Sequence, residues 1–404
     1  MTRLISTKTP PDILCLYGAR ALRGFGDGFA ILILPVYLTA IGFSPLKIGI
    51  VASASLLGTA ALTLITGFIA PRHELRNLFL AGAGLIVVTG LIFPAAETIA
   101  PVLLIAFIGS INPSSGDLGM LVPLEHALLT RETADRDRTT IFARYSLIGA
   151  LTAALGALAA ALPEVLASHG WPKLGAIRLM FYLYAVLGVL AALLYARLPR
   201  DHSHADNRPK AALGPSRNIV YKLAALFSLD AFAGGFVVQS LLALWLFQRF
   251  NLSLEAASVF FFCSSLLGAM SFPVAAWLSR RIGLINTMVF THIPSSLCLI
   301  AAAFSSDLTV VLGLLLVRSA LSQMDVPTRS SYVMAVVTPA ERTAAASVTA
   351  VPRSLASSIS PAIAGFMLAG PFSALPLLVC GALKIAYDLA LLRMFRHTKP
   401  PEEV

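Results

Sequence analysis

The sequence predicts an all-α membrane protein, with twelve transmembrane helices in two pseudo-symmetric six-helix bundles around a central cavity. Of its 404 residues, 57% are apolar and 12% are charged, about half of the roughly 25% that soluble domains carry. A soluble domain needs a polar surface, and this composition cannot supply one. The apolar residues form long continuous runs and lack the alternation of a membrane β-barrel. The solvent of this chain is therefore mostly lipid.

Twelve segments are long and apolar enough to cross a hydrocarbon core of about 30 Å, which takes about 20 helical residues. The predicted spans 1 to 12 cover residues 12–40, 45–70, 77–96, 101–129, 138–163, 175–197, 219–248, 254–279, 285–305, 308–335, 342–369 and 372–394. Residues 1–12 contain no apolar region before a small-residue cleavage site, so no signal peptide is expected. The four cysteines lie in apolar stretches without CxxC spacing, so no disulfide framework is expected.

The basic residues predict the orientation of the chain. With a cytoplasmic N-terminus, nineteen Lys and Arg residues fall on the cytoplasmic side and four on the outer side, so both termini are predicted to be cytoplasmic. The longest polar stretch divides the chain into an N-terminal six-helix bundle (1–198), a cytoplasmic linker (199–218) and a C-terminal six-helix bundle (219–404). Loops that face anionic lipid explain the net charge of +10, and no nucleic-acid partner is expected.

The two halves share a pattern that indicates an internal duplication. Segment 133–143 (TADRDRTTIFA) resembles segment 338–347 (TPAERTAAAS), and further matches need shifts of 204 to 209 residues. These matches include Gly109 with Gly313, Pro123 with Pro327, Arg138 with Arg342, Gly28 with Gly235 and Arg23 with Asp230. Repeats of this kind are related by an axis along the membrane normal.

Across nearly its whole length, the chain resembles the major facilitator superfamily. The resemblance rests on the six-plus-six topology, the long central loop, the basic turns after spans 2 and 8, and the segment 324–354. The loop motif of the superfamily is roughly G-x-x-x-D-x-x-G-R-R/K. Segments 67–77 (GFIAPRHELRN) and 276–286 (AWLSRRIGLIN) match it in part, and both lack its acidic residue. The resemblance implies a secondary active transporter that moves a small solute by alternating access, with spans 1, 4, 7 and 10 around the cavity.

Ionisable side chains inside the predicted spans are the sharpest functional signal. Each costs at least about 2.5–3.5 kcal/mol near the bilayer centre, so each is a functional hypothesis by default. The residues predicted to couple protons or to line the substrate cavity are Asp27, Arg23, Asp117, Asp230, Arg318 and Asp325. A second set lies nearer the cytoplasmic face and is predicted to form a gate or to snorkel to the interface: Glu125, Arg144, Arg329 and Arg353. On span 12, Lys384 and Asp388 are spaced to pair with each other at i, i+4.

Carboxylates and arginines in these spans suit different roles. A carboxylate in a partly dry site can bind and release a proton near neutral pH, whereas arginine keeps its charge. Asp27, within the glycine-rich GFGDGF (24–29), and Asp230 are therefore candidate proton sites. Arg23 and Arg318 are candidate anion contacts or carboxylate partners. Permanent structural ion pairing is the alternative for the four residues nearest the midplane, Asp27, Asp117, Asp230 and Arg318.

Two stretches of the spans carry backbone signals. Span 4 contains INPSSGDLGMLVP (111–123), whose prolines and glycines can kink or break a helix, as at the discontinuous helices of transporter sites. In span 11, SLASSISPAIAGF (354–366) resembles the superfamily's glycine-proline motif associated with antiporters, with most glycines replaced by Ser or Ala.

Proton-coupled efflux is the predicted function, and proton-coupled uptake of a small organic solute or anion is the close alternative. No Walker A sequence appears, so ATP drive within this chain is not expected. Segment 24–27 (GFGD) superficially matches the GxGD of intramembrane aspartyl proteases, which need two aspartates sharing a proton. The second protease motif is absent, so an enzyme is a distant alternative and the chain is predicted not to be one.

The sequence also predicts the surroundings of the protein. No cofactor and no metal are expected. The expected partners are a small-molecule substrate, protons and the lipid bilayer, and the protein is expected to be a monomer. The short loops between spans indicate a bacterial inner membrane.

Overall fold

The computed structural model describes residues 10–109, 111–114, 119–133, 138–200, 214–338 and 341–396. Within these ranges the chain forms sixteen α-helices, two short 3-10 helices (Ala70–Arg72 and Phe93–Ala95) and no strand. The α-helices are α1 (Pro11–Ala40), α2 (Pro45–Ile69), α3 (Leu75–Ile92), α4 (Ile99–Ile108), α5 (Leu121–Arg131), α6 (Arg138–Ala159), α7 (Leu162–Ser168), α8 (Lys173–Tyr195), α9 (Arg217–Gly235), α10 (Gln239–Phe250), α11 (Leu254–Ile282), α12 (Leu284–Phe304), α13 (Leu308–Ser322), α14 (Asp325–Val336), α15 (Arg342–Leu368) and α16 (Leu375–Phe395).

These helices follow the predicted order of twelve spans. In the described residues, ten helical stretches are long and apolar enough to cross a membrane. The remaining two spans are span 4, which consists of α4 and α5, and span 11, which is the more polar α15. Three spans consist of two helices each, namely α4–α5, α9–α10 and α13–α14, and the short α7 precedes span 6. The all-α membrane fold is confirmed.

The three divided spans are interrupted near their centres. The described residues of the interruptions are 109, 111–114 and 119–120 in span 4, 236–238 in span 7 and 323–324 in span 10. The first group includes Pro113, part of the segment 111–123 predicted to kink or break span 4. Irregular backbone is tolerated at membrane depth where protein surrounds it and satisfies its polar groups. Here the N–H of Ser240 in span 7 donates to the carbonyl oxygen of Pro113 in span 4 over 3.1 Å. The break in one half therefore supplies an acceptor to the other half.

Successive spans cross the membrane in opposite directions, so the loops between them lie alternately on two faces of the protein. Pro10 and Arg396, the ends of the described chain, lie on one face, which we call the termini face. The loops at 41–44 and 251–253 lie on the other, which we call the opposite face. The end of α8 and the start of α9 lie on the termini face. Residues 201–213, most of the predicted central linker, lie outside the described residues.

Helices α1–α8 form the first bundle and α9–α16 the second, and the same helix crossing recurs in both. A Cβ atom on Gly28 of α1 would lie 2.0 Å from the carbonyl oxygen of Ala153 in α6. A Cβ atom on Gly235 of α9 would lie 2.7 Å from the carbonyl oxygen of Ser357 in α15. Both contacts require glycine because the backbones are too close for any side chain. The four residues correspond under the repeat shifts of 207 and 204.

The two bundles meet toward the opposite face. A Cβ atom on Gly49 of α2 would lie 2.9 Å from the Cα atom of Gly365 in α15. Nearby, the N–H of Ala362 donates to Ser53 Oγ over 2.9 Å. The end of α2 that begins at Pro45 is therefore packed tightly against the far end of α15. These contacts close the space between the bundles at the opposite face.

Candidate functional site

A buried ion pair lies inside the first bundle. Arg23 of α1, 8% exposed, pairs with the fully buried Glu125 of α5. Tyr145 of α6 donates to Glu125 Oε2, and Tyr195 of α8 donates to Oε1 over 2.6 Å. Because both carboxylate oxygens have partners, the cost of burying this charge is offset. We call these four residues the first charge cluster.

A second buried group of charges lies inside the second bundle. Arg329 of α14 donates to Asp230 Oδ2 of α9 over 2.8 Å and also pairs with Asp325, one turn earlier on its own helix. The Nζ of Lys384 in α16 donates to Asp230 Oδ1 over 2.8 Å. Both aspartates and the arginine are at most 6% exposed. We call these four residues the second charge cluster.

The two clusters occupy equivalent places with their charges reversed. The repeat shift of 207 places Arg23 on Asp230, and the shift of 204 places Glu125 on Arg329. The first half thus pairs a base on span 1 with an acid on span 4, and the second half pairs an acid on span 7 with a base on span 10. Each pair joins helices of one bundle. These two pairs therefore do not connect one bundle to the other.

Asp27 lies beside the first charge cluster, in a cavity of about 50 Å³ within the first bundle. Arg23, Asn112 and Tyr184 also line this cavity, which has room for a few water molecules. The hydroxyl of Tyr184 donates to Asp27 Oδ1 over 3.2 Å. Within the described ranges, no cation lies within ion-pair distance of Asp27, and its side chain is only partly buried. Among the described residues, Asp27 is therefore a carboxylate that borders a cavity and has no ion-pair partner.

The glycines around Asp27 explain its position. A Cβ atom on Gly24 would lie 2.9 Å from a backbone oxygen of α6, and Gly28 meets the same helix. A Cβ atom on Gly26 would lie 2.9 Å from the ring of Tyr184. The glycines thus let α1 approach α6 and α8 closely, as the GFGDGF segment predicts. The approach of α8 brings the hydroxyl of Tyr184 to Asp27.

The other predicted residues lie in several environments. Arg318 of α13 is partly buried, and its guanidinium has neither an ion pair nor a hydrogen bond within the part of the chain that the structure describes. Arg144 of α6 and Arg353 of α15 are exposed. Asp117 lies outside the described residues. The gate role of Glu125, Arg144, Arg329 and Arg353 stays a prediction.

Some polar partners were not among the predicted residues. The predicted pairing of Lys384 with Asp388 is replaced, in the described structure, by other partners: Lys384 donates to Asp230, and Asp388 accepts from Nδ1 of His292 in α12. His292 is an ionisable side chain within the apolar span 9, and a search limited to Asp, Glu, Lys and Arg overlooks it. Tyr184 and Tyr195 are eleven residues apart, which is three helical turns and one face. This spacing in the sequence predicts that the two tyrosine side chains lie on the same face of span 6.

Two quasi-equivalent bundles of six spans, with charges buried between the spans, define the class of a solute transporter. The family model of the Major Facilitator Superfamily matches residues 16–361, and the chain belongs to this family. It is 24% identical over 420 residues to YJR124C, an uncharacterized membrane protein of Saccharomyces cerevisiae, with 95% of this chain and 94% of that protein covered.

Solved transporter structures share this fold. One is a D-xylose–proton symporter, with a TM-score of 0.78, 14% identity, and 97% of this chain and 98% of that one covered. Another is the nucleoside transporter NupG, with a TM-score of 0.76, 14% identity, and 95% and 100% covered. Because the chain belongs to the Major Facilitator Superfamily, it is a transporter and not an enzyme, and the protease alternative is set aside.

Proposed function

We propose that this chain is a proton-coupled secondary transporter that exports a small solute in exchange for protons by alternating access. The observation that carries the coupling is the setting of Asp27. It is partly buried, borders a small cavity, accepts a bond from Tyr184 and has no ion-pair partner among the described residues. A proton on Asp27 leaves no buried cation without its counter-charge. A proton on Glu125 or Asp230 would do so.

The proposed orientation places both termini in the cytoplasm of a bacterium, with the protein in the inner membrane. It rests on the excess of basic residues on the termini face. With this orientation the close contact of Gly49 with Gly365 lies on the external side. The antiporter-like run in span 11, residues 354–366, supports export.

Uptake of an organic anion is a second candidate. It is favoured by Arg318, whose guanidinium has no anionic partner in the described ranges. An unpaired intramembrane cation is costly unless a ligand or water meets it. A carboxylate of a solute would supply the missing charge.

The test is solute-driven proton movement in proteoliposomes that contain a pH-sensitive dye. A panel of nucleosides, pentoses and organic anions is applied as gradients to the wild-type protein. We expect at least one solute to move protons, in the direction opposite to the solute for export by antiport and in the same direction for uptake.

In the Asp27→Asn variant, we expect solute-driven proton movement to fall to the level of empty liposomes, while the protein still folds and inserts. Glu255→Gln is the matched control, because Glu255 is an exposed carboxylate at the opposite face. Wild-type proton movement in Asp27→Asn would refute the assignment of Asp27.

A further inference from the structure

The second bundle contains a buried histidine that the transport proposal does not use. His292 is 2% exposed, and both oxygens of the fully buried Asp388 lie close to its Nδ1, at 3.0 and 3.1 Å. On the other side of the ring, Lys384 Nζ lies 3.2 Å from Nε2. Asp230 Oδ1 lies 4.0 Å from the same nitrogen. Charged groups from α9 and α16 thus face one imidazole on α12.

The groups around the ring determine which nitrogen carries the proton. The Lys384 ammonium can only donate, so its contact with Nε2 requires a lone pair there. The proton of the neutral ring is then on Nδ1, where the ionised carboxylate of Asp388 accepts it. In this form the neutral imidazole has a partner at both nitrogens.

A second proton on Nε2 would upset this arrangement. The new N–H and the Lys384 ammonium would be two positive donors facing each other across 3.2 Å. The nearby acceptor is Asp230 Oδ1, 4.0 Å from Nε2, and Lys384 already binds this oxygen over 2.8 Å. The imidazolium and the ammonium would therefore compete for one carboxylate oxygen.

The formal charges around the histidine do not sum to zero while its ring is neutral. Besides His292, the bonded set contains three acids and two bases: Asp230, Asp325, Asp388, Arg329 and Lys384. With a neutral ring the set carries one excess negative charge, and with an imidazolium it is neutral. Tyr387 on α16 packs edge-on against the imidazole, with 6.1 Å between the centroids of the two rings. Arg318 on α13 is partly buried and Arg353 on α15 is exposed, and neither belongs to the bonded set.

We propose that His292 is a proton-binding site in the second bundle, and that proton binding moves Asp230 from Lys384 to His292. A proton from water forms an N–H bond at Nε2, and the Lys384 ammonium leaves Asp230 Oδ1. Lys384, whose side chain is 14% exposed, is the member of the set with a path to open space. The switch tightens the contact of α9 with α12 and loosens its contact with α16. This site lies in the other bundle from Asp27 and stands independently of that assignment.

The test is ¹⁵N NMR of the full chain, labelled at histidine and embedded in lipid nanodiscs. The His292 signal is identified by its loss in His292→Gln. If that variant does not fold, single replacements of the six other histidines identify it by elimination. We expect a neutral ring with the proton on Nδ1 in alkaline buffer, and a doubly protonated ring on acidification. A neutral ring with the proton on Nε2, or a ring that never takes the second proton, would overturn the proposal.

A variant at Lys384 tests whether Lys384 and His292 compete for Asp230, and distinguishes this from an effect of burial on His292 alone. In Lys384→Met the competing donor is absent, so we expect His292 to be doubly protonated in a buffer where the wild-type ring is neutral. His169→Gln, which removes an exposed histidine on the loop after α7, should leave the His292 signal unchanged. Identical protonation of His292 in Lys384→Met and wild type at every pH would refute the competition for Asp230.

Discussion

At the scale of single residues, the same charge has different surroundings on one span. Arg329 donates to two buried carboxylates, Asp230 and Asp325. Arg318, three turns earlier on span 10, has no ionic partner within the described part of the chain. The first arginine therefore belongs to a buried ion-pair network, and the second has no such network among the described residues.

This contrast gives a matched pair of variants. Arg329→Ala would leave two buried carboxylates with less counter-charge, and we expect it to lower the free energy of unfolding by about 3–5 kcal/mol. Arg318→Ala removes no such pair and should melt close to the wild type, while binding of an anionic solute weakens. Thermal melting in detergent, followed by size-exclusion chromatography, measures both variants. Equal destabilisation by the two would contradict the distinction.

At the scale of elements, Glu341 ties the start of α9 to the segment before α15. Its carboxylate accepts bonds from the hydroxyls of Ser216 over 2.7 Å and Thr338 over 2.6 Å, and from the N–H of Gly214. These bonds, those from the two hydroxyls first, lower the pKa of Glu341 to about 2. The contact lies on the termini face, where the second bundle begins.

The lowered pKa of Glu341 sets the pH range of its effect. A carboxyl with a lower pKa in the folded state than in the unfolded state stabilises the fold above the unfolded value of about 4.3. This stabilisation is lost as the pH falls from about 4.3 toward the folded value of about 2. We expect Glu341→Gln to melt below the wild type at pH 6, with the difference shrinking as the pH falls toward 3. Melting curves over this range measure it, and a difference that does not change with pH would refute the assignment.

At the scale of the whole molecule, transport by alternating access requires the bundles to separate at the opposite face. Ser53 of α2 and Ala362 of α15 touch there, with Ser53 Oγ 2.9 Å from the N–H of Ala362. In a background without the four native cysteines, we expect Ser53→Cys with Ala362→Cys to form a disulfide on oxidation. Transport should then stop and return on reduction.

Two controls accompany this experiment. Each single cysteine variant should transport with and without oxidant, because it cannot join the bundles. A cross-linked double variant that still transports at the wild-type rate would show that this contact does not open during the cycle.

The charged residues of the site could be predicted, but their pairing could not. Arg23 and Asp27 share a face of α1 by helical spacing, yet Arg23 binds Glu125 and Asp27 binds Tyr184. The partners are 102 and 157 residues away along the chain. The sequence predicts that Glu125 lies near the cytoplasmic interface, and in the structure its side chain is fully buried. Helical periodicity describes one helix and contains no information about which helix faces it.

The sequence alone determined that this protein is an all-α membrane protein of the transporter class, because apolar run length and basic loops are local properties that the bilayer selects directly. It also contained the repeat that relates the two halves. Only the tertiary structure decided which acid meets which base, and that the ion pairs of the two halves are equivalent with reversed charges. The reason is that ionic interactions depend on separation and burial, and both are set by helix contacts such as Gly28 against Ala153 and Gly235 against Ser357.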